Sequence, residues 1–278
     1  MTPLREHPVP MLLDKNRFWA RVKERIAGFP RVVLFGSLIW AMWTGPVFAQ
    51  TTLVAVRTPD EIWIGADSKV NLLLRKAVSR SGCKIRRVGN LFIGYAGLAE
   101  YTKTNYDLVA LVNEACLKGG TLDDKVRAFD GLIVNPLSHA LKYIKRTHSR
   151  YYRQKIHGKA AVQMVFAAVE AGVPRLHVRY LNVSEREGDS PSIALSKRNC
   201  PGGDCPNGEF AAYLGHNEAI VRFVEKERDF WTIGYAEGIR ELIDLEIQAE
   251  PDYVGGPIDI LRLDRNGHRW IQRKEECH

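Results

Sequence analysis

The spacing of apolar residues changes period four times along this chain, and that succession restricts the architecture more than any other feature. Alternation at every second residue, the mark of a half-buried strand, runs through Thr51–Arg57 and Glu61–Ala66, with the turn residues Thr58-Pro59-Asp60 between them. It returns in Lys84–Val88 and Leu91–Ala96 around Gly89-Asn90, a dipeptide that tolerates positive φ. Three- and four-residue spacing then takes over. Leu108, Leu111, Val112 and Ala115 predict a helix over Tyr106–Leu117, stopped by Gly119-Gly120. Thr121, followed by Asp123 and Asp124, caps a second helix that ends near the basic run Lys142–Lys155.

The same alternation of patterns repeats downstream. Ala161–Glu170 and Arg175–Val183 read as strands joined across Ala171-Gly172-Val173-Pro174, and residues 184–208 as a polar connection. Phe210–Leu214 is a strand, Asn217–Arg228 and Thr232–Ala249 are helical, and Pro257–Leu263 and Arg269–Gln272 pair around Asn266-Gly267. Residues 69–83 are basic and predicted irregular. Two sheets each need one apolar face covered, and two helix pairs suffice for the outer faces. The predicted class is α+β, a four-layer αββα sandwich.

Residues 1–49 read as a segment removed from the mature chain. Arg17, Arg21, Lys23, Arg25 and Arg31 precede an apolar stretch from Val32 to Trp43, broken by Gly45-Pro46, and Val47-Phe48-Ala49 places small residues where signal peptidase reads. The stretch falls short of the about 20 residues of a comfortable membrane span. This predicts residues 50–278 as one domain, periplasmic or secreted; the alternative is a retained leader anchoring the chain in the inner membrane. The first 50 residues carry seven Lys/Arg and three Asp/Glu, so half of the net +8 belongs to the leader. What remains holds no dense basic run interleaved with aromatics, which argues against nucleic acid as a partner. Cys200 and Cys205 bracket a turn suited to a local disulfide in an exported chain, while Cys83 and Cys116 read as core residues. No Cys/His set has ligand spacing, so neither metal nor cofactor is expected.

Thr51 stands just beyond this leader. Threonine is a weak nucleophile in mid-chain, but at a chain start its α-amine, with a pKa of roughly 7.7–8.0, can take the hydroxyl proton. Asp67 ends the second strand, and a hairpin folds that end back toward Thr51. Lys84 begins the third strand, and Gly97 ends the fourth just before a helix. A lysine beside the hydroxyl helps move its proton, an aspartate keeps that lysine charged, and a glycine at the strand-to-helix turn lets N–H groups approach an oxyanion.

In that order, Thr51-Thr52-Leu53-Val54-Ala55-Val56, Ala66-Asp67-Ser68, Lys84-Ile85-Arg86-Arg87-Val88 and Ala96-Gly97-Leu98-Ala99 resemble the proteasome β-subunit family and its bacterial two-ring relatives. The resemblance runs from Thr51 to Trp270, is strongest over Thr51–Ala99, and includes Tyr253-Val254-Gly255-Gly256. It implies the αββα fold of N-terminal-nucleophile (Ntn) hydrolases and a threonine-type peptidase. Thr51 would be nucleophile and base, Asp67 and Lys84 its charge partners, and the Gly97 N–H the oxyanion donor. It also implies a homo-oligomeric ring. The chain departs from the pattern at Leu214 and Val254, where the family carries serines, at Asp252, shifted by one residue, and by one extra residue between Asp67 and Lys84. Two readings follow. In one, the chain hydrolyses peptides or small amides through Thr51. In the other, favoured by Leu214, Val254 and the Gln50 that precedes Thr51, it is an inactive scaffold or ring component. A membrane is a partner only if the leader stays.

Overall fold

A computed structural model describes residues 47–49, 51–72, 75–185, 190–205, 208–227 and 229–277. The basic and apolar parts of the leader, and Gln50, lie outside the described residues. The strands are β1 (Val47–Ala49), β2 (Thr52–Arg57), β3 (Glu61–Ala66), β4 (Lys69–Leu72), β5 (Arg75–Ser81), β6 (Ile85–Val88), β7 (Leu91–Tyr101) and β8 (Tyr106–Asp107), then β9 (Ala160–Glu170), β10 (Val173–Glu185), β11 (Pro191–Cys200), β12 (Phe210–Gly215), β13 (Asp259–Asp264) and β14 (Gly267–Gln272). Helices α1 (Leu108–Leu117) and α2 (Leu122–Thr147) follow β8, and α3 (Glu218–Val224) and α4 (Tyr235–Ala249) follow β12.

All strand pairs are antiparallel, which makes the chain α+β with two antiparallel sheets. The larger runs β11-β10-β9-β7-β1-β4-β5, with β6 and β8 also on β7; the smaller runs β12-β2-β3-β13-β14. Three apolar cores account for this arrangement. Leu98, Met164 and Phe166 of the larger sheet pack with Phe129, Ile133 and Leu137 of α2. Leu53, Ile62 and Ile64 of the smaller sheet meet Phe92, Val165 and Val178 of the larger. Val54, Val56 and Ile260 point the other way, onto Ile239, Leu242 and Ile243 of α4. Strand β2 is buried along its whole length because both of its faces are covered.

Local chemistry explains the element ends. Thr121 and Asp124 form a reciprocal capping box on α2, and the Asp107 carboxylate caps α1 by accepting from Ala110 N at 3.0 Å. Helix α1 therefore starts at Leu108, and Tyr106, predicted helical, pairs with Tyr101 in β8 instead. Residues 69–83 are not irregular: β4 and β5 form a hairpin there. The polar connection after residue 183 contains β11, which pairs with β10 from Leu176 opposite Cys200 to Glu185 opposite Pro191. Strand β7 does not stop near Gly97, where its pairing with β9 ends; it continues to Tyr101 because β1 and then β8 hold it.

Cys200 and Cys205 form the local disulfide. Cys83 is not a core thiol: it is bonded to Cys277, 194 residues away, and Cys116 stays reduced.

Candidate active site

The β2–β3 hairpin brings Thr51 and Asp67 to the same end of the smaller sheet. Leu53 lies opposite Ala66, so Thr52 faces Asp67 one step further on. Asp67 N donates to Thr52 O at 3.1 Å, and Thr52 N returns a bond to Asp67 Oδ1 at 2.9 Å. The other carboxylate oxygen accepts from Lys69 N at 3.1 Å and from Gly255 N at 3.0 Å. Lys84, one residue ahead of β6, reaches Asp67 Oδ1 with Nζ at 2.6 Å, and both side chains are buried. A charge pair removed from water survives only with this degree of hydrogen bonding. Burial pulls the Lys84 ammonium down to about 8, against the opposing pull of Asp67 and with a further downward push from nearby Lys274. Lys84 is thus an amine that can hold or release a proton near neutrality.

Thr51 itself is fully buried. Its carbonyl accepts from His216 N at 2.8 Å, and Thr52 Oγ1 donates to His216 O at 2.7 Å. Thr51 Oγ1 has no hydrogen-bond partner among the described residues. The grip on Thr51 depends on Gly215, whose φ is +77° and whose position leaves no room for a side chain: a Cβ would lie 1.7 Å from Thr51 O. Its N–H is anchored by Gln163 Oε1 at 3.1 Å. Gly215→Ala is expected to cost about 2–4 kcal/mol from left-handed strain plus the forced backbone shift. Gly89→Ala is the control, since Gly89 has φ +60° with nothing within 4 Å of a Cβ and should lose only about 1–2 kcal/mol. Denaturant melts of the two variants check the difference.

Gly97 lies inside β7, not at a strand-to-helix turn. Its φ is +98°, and a Cβ would fall 2.2 Å from Ala161 O on β9. Ala49 of β1 pairs opposite it. The glycine is therefore required by the close approach of β9, and on its other side it pairs with the chain segment that leads into Thr51.

The structure brings Thr51, Asp67 and Lys84 together at one sheet end and sets Gly97 opposite Ala49. Leu214 and Val254 are both buried, Leu214 within the core between the sheets, so neither place offers a hydroxyl to Thr51. Several neighbours were not anticipated from sequence: Thr52 and His216, which hold each other and Thr51, and Ser68, Asp259 and Lys274, buried behind Asp67. Thr52, Ser68 and Gly255 stand within the sequence runs that carry the resemblance but had no role of their own there, and Gly215 directly follows the expected strand Phe210–Leu214. Among the described residues no group of His, Cys, Asp and Glu could hold a metal ion.

No family model matches the chain, and no curated protein does. Among solved structures the chain is similar to the Gly-1 mutant of Anbu from Hyphomicrobium sp. strain MC1, with 15% sequence identity, 81% of this chain and 86% of that chain covered, and a TM-score of 0.47.

Proposed function

We propose that the chain is a threonine-type Ntn amide hydrolase that attacks extended peptides through Thr51. The observation that carries this reading is the course of β1. Val47–Ala49 lies between β7 and β4, antiparallel to both, and runs directly toward Thr51. Strands are about 4.8 Å apart, so without β1 the strands β7 and β4 would face each other across about 10 Å, a slot for one extended chain. The residues ahead of Thr51 thus sit as a peptide substrate would. The three apolar cores suit the αββα layering of Ntn hydrolases, and the residue order Thr51, Asp67, Lys84 supports the assignment of roles.

The chemistry runs in two stages. In the uncut chain Thr51 Oγ1 attacks the Gln50 carbonyl carbon; the peptide C–N bond breaks, its nitrogen becomes the Thr51 α-amine, and water hydrolyses the resulting ester to a Gln50 carboxylate. In the mature chain the α-amine takes the Thr51 hydroxyl proton as Oγ1 attacks the substrate carbonyl, and passes it to the leaving amine; water then hydrolyses the acyl ester, releasing the substrate's carboxylate and restoring the Thr51 hydroxyl. The Lys84 cation, held by Asp67, favours the developing alkoxide, and the Gly97 N–H serves the oxyanion. Export by the leader and assembly into a ring belong to the same proposal.

Intact-mass measurement of the purified protein tests the first stage: the expected chain begins at Thr51, and one that keeps Gln50 removes the amine as base. The second stage predicts a bell-shaped pH profile for labelling by a threonine-reactive β-lactone. The rate should rise as the α-amine loses its proton and fall near pH 8 as Lys84 loses its own. A profile that only rises up to pH 10 contradicts the role given to Lys84. Leu214 and Val254 favour a second reading, an inactive scaffold, and that reading expects no labelling at any pH.

A further inference from the structure

The buried polar network does not end at Asp67 and Lys84. Ser68, also fully buried, donates to Pro257 O and accepts from Lys274 Nζ. Lys274 is only 6% exposed, although it belongs to the last few residues of the chain. Its Nζ also donates to Gly82 O and lies 3.3 Å from Asp259 Oδ2, while its backbone N donates to Asp259 Oδ1 at 2.9 Å. Asp259 in turn pairs opposite Ala66, the residue before Asp67. One ammonium therefore touches the neighbour of Asp67 on one side and, on the other, a residue two positions before Lys84. Between Gly82 and Lys84 sits Cys83, bonded to Cys277 three residues beyond Lys274.

We propose that Lys274 is a positioning residue for the Thr51 site, delivered by a C-terminal tail that the Cys83–Cys277 disulfide locks in place, so that reduction by a dithiol loosens the site. The proposal rests on the hydrolase reading above for its catalytic consequence. Two features separate it from ordinary tail packing. First, burying a lysine is expensive unless its charge is used, and here two lysines and two aspartates form a neutral buried quartet. Removing Lys274 leaves Asp259 as an excess negative charge near Lys84. Second, the disulfide attaches to the residue next to Lys84, so release of the tail opens the lysine to water.

Both changes act on Lys84 in one direction. The charged groups that act on it among the described residues include Asp67 from the end of β3, Asp259 from β13 and Lys274 from the tail. Losing the Lys274 cation, or admitting water, makes Lys84 hold its proton to higher pH. Reduction itself balances as a thiol–disulfide exchange. A dithiol thiolate attacks one sulfur to give a mixed disulfide, its second thiol closes the reagent into a cyclic disulfide, and Cys83 and Cys277 leave as two thiols.

The test follows Lys84 directly. The full chain is labelled with isotopic lysine, the Lys84 ammonium signal is assigned through Lys84→Arg, and its titration is recorded by NMR beside the β-lactone pH profile. Lys274→Met is expected to move the Lys84 titration up by about one pH unit or more, and the falling limb of the profile with it. Lys274→Arg should restore both. Dithiothreitol should produce the same upward movement in the wild type and none in a Cys83→Ser/Cys277→Ser chain, which should already be displaced. The idea is overturned if the Lys84 titration stays in place in reduced wild type, or in Lys274→Met protein that melts cooperatively. If Lys84 moves as expected but wild type is never labelled, the positioning role stands and the hydrolase reading falls.

Discussion

Thr51→Ala is expected to abolish β-lactone labelling and peptide hydrolysis, a loss of about 10⁴-fold or more, and to leave Gln50 attached ahead of residue 51. Removing a nucleophile eliminates the covalent path altogether, so the loss is of the size seen when any one member of a nucleophile–base unit is deleted. The same substitution should hardly touch stability. Thr51 Oγ1 is buried with no hydrogen-bond partner among the described residues, and the contacts that place the residue come from its carbonyl and from Thr52. Deleting a buried hydroxyl without a partner is close to neutral, and the γ-methyl lost with it costs about 1 kcal/mol. Two measurements on one variant therefore separate the explanations. Lost labelling with an unchanged melt assigns the chemistry to Oγ1. Lost labelling with a lowered melt reports damage to the fold. Labelling equal to wild type removes Thr51 as the nucleophile and returns the chain to the scaffold reading.

How much of this arrangement the sequence discloses depends on how local each cause is. Thr51, Asp67 and Lys84 stand at strand ends marked by alternation and by turn residues within a few positions, so their meeting can be inferred from one hairpin and its neighbour. Gly97 was misread because a glycine usually ends a strand. Here it is needed because a Cβ at this place in β7 would fall 2.2 Å from Ala161 O, a constraint imposed from β9 some 60 residues later. Strand β11 was missed because it is an edge strand whose side chains are mostly exposed or half-exposed, which leaves no apolar alternation to detect. The β4–β5 hairpin was missed for lack of hydrophobic pattern too; its order comes from pairing with β1. Lys274 was out of reach for a different reason. Its place depends on a disulfide, and five cysteines do not reveal which of them pair.

Asp67→Asn should be the most destabilising single change in the site. It keeps the shape but removes the charge that faces Lys84, and leaving a buried ammonium without the carboxylate it is bonded to costs about 3–5 kcal/mol. In a chain of this size that corresponds to a fall in Tm on the order of 10 °C. Lys84→Met should cost less, because Asp67 would still accept from the backbone N–H groups of Thr52, Lys69 and Gly255. The Asp67→Asn/Lys84→Met double variant should recover part of the loss, with the recovery measuring the coupling. The pH dependence carries a definite sign. Lys84 titrates near 8 in the folded protein against an ordinary 10.5, so the unfolded chain binds more protons between those values. Wild-type stability from this group therefore rises with pH across that window and is lost as pH falls through about 8. Removing Asp67 takes away the one nearby charge that most supports the ammonium, so the window opens at lower pH in the variant. The deficit of Asp67→Asn should consequently be largest in mild acid and shrink by up to about 1.4 kcal/mol per pH unit on the approach to pH 8. Urea melts at pH 6 and pH 8 decide it: a deficit equal at both would mean that the carboxylate matters for its hydrogen bonds to backbone, not for the charge of Lys84.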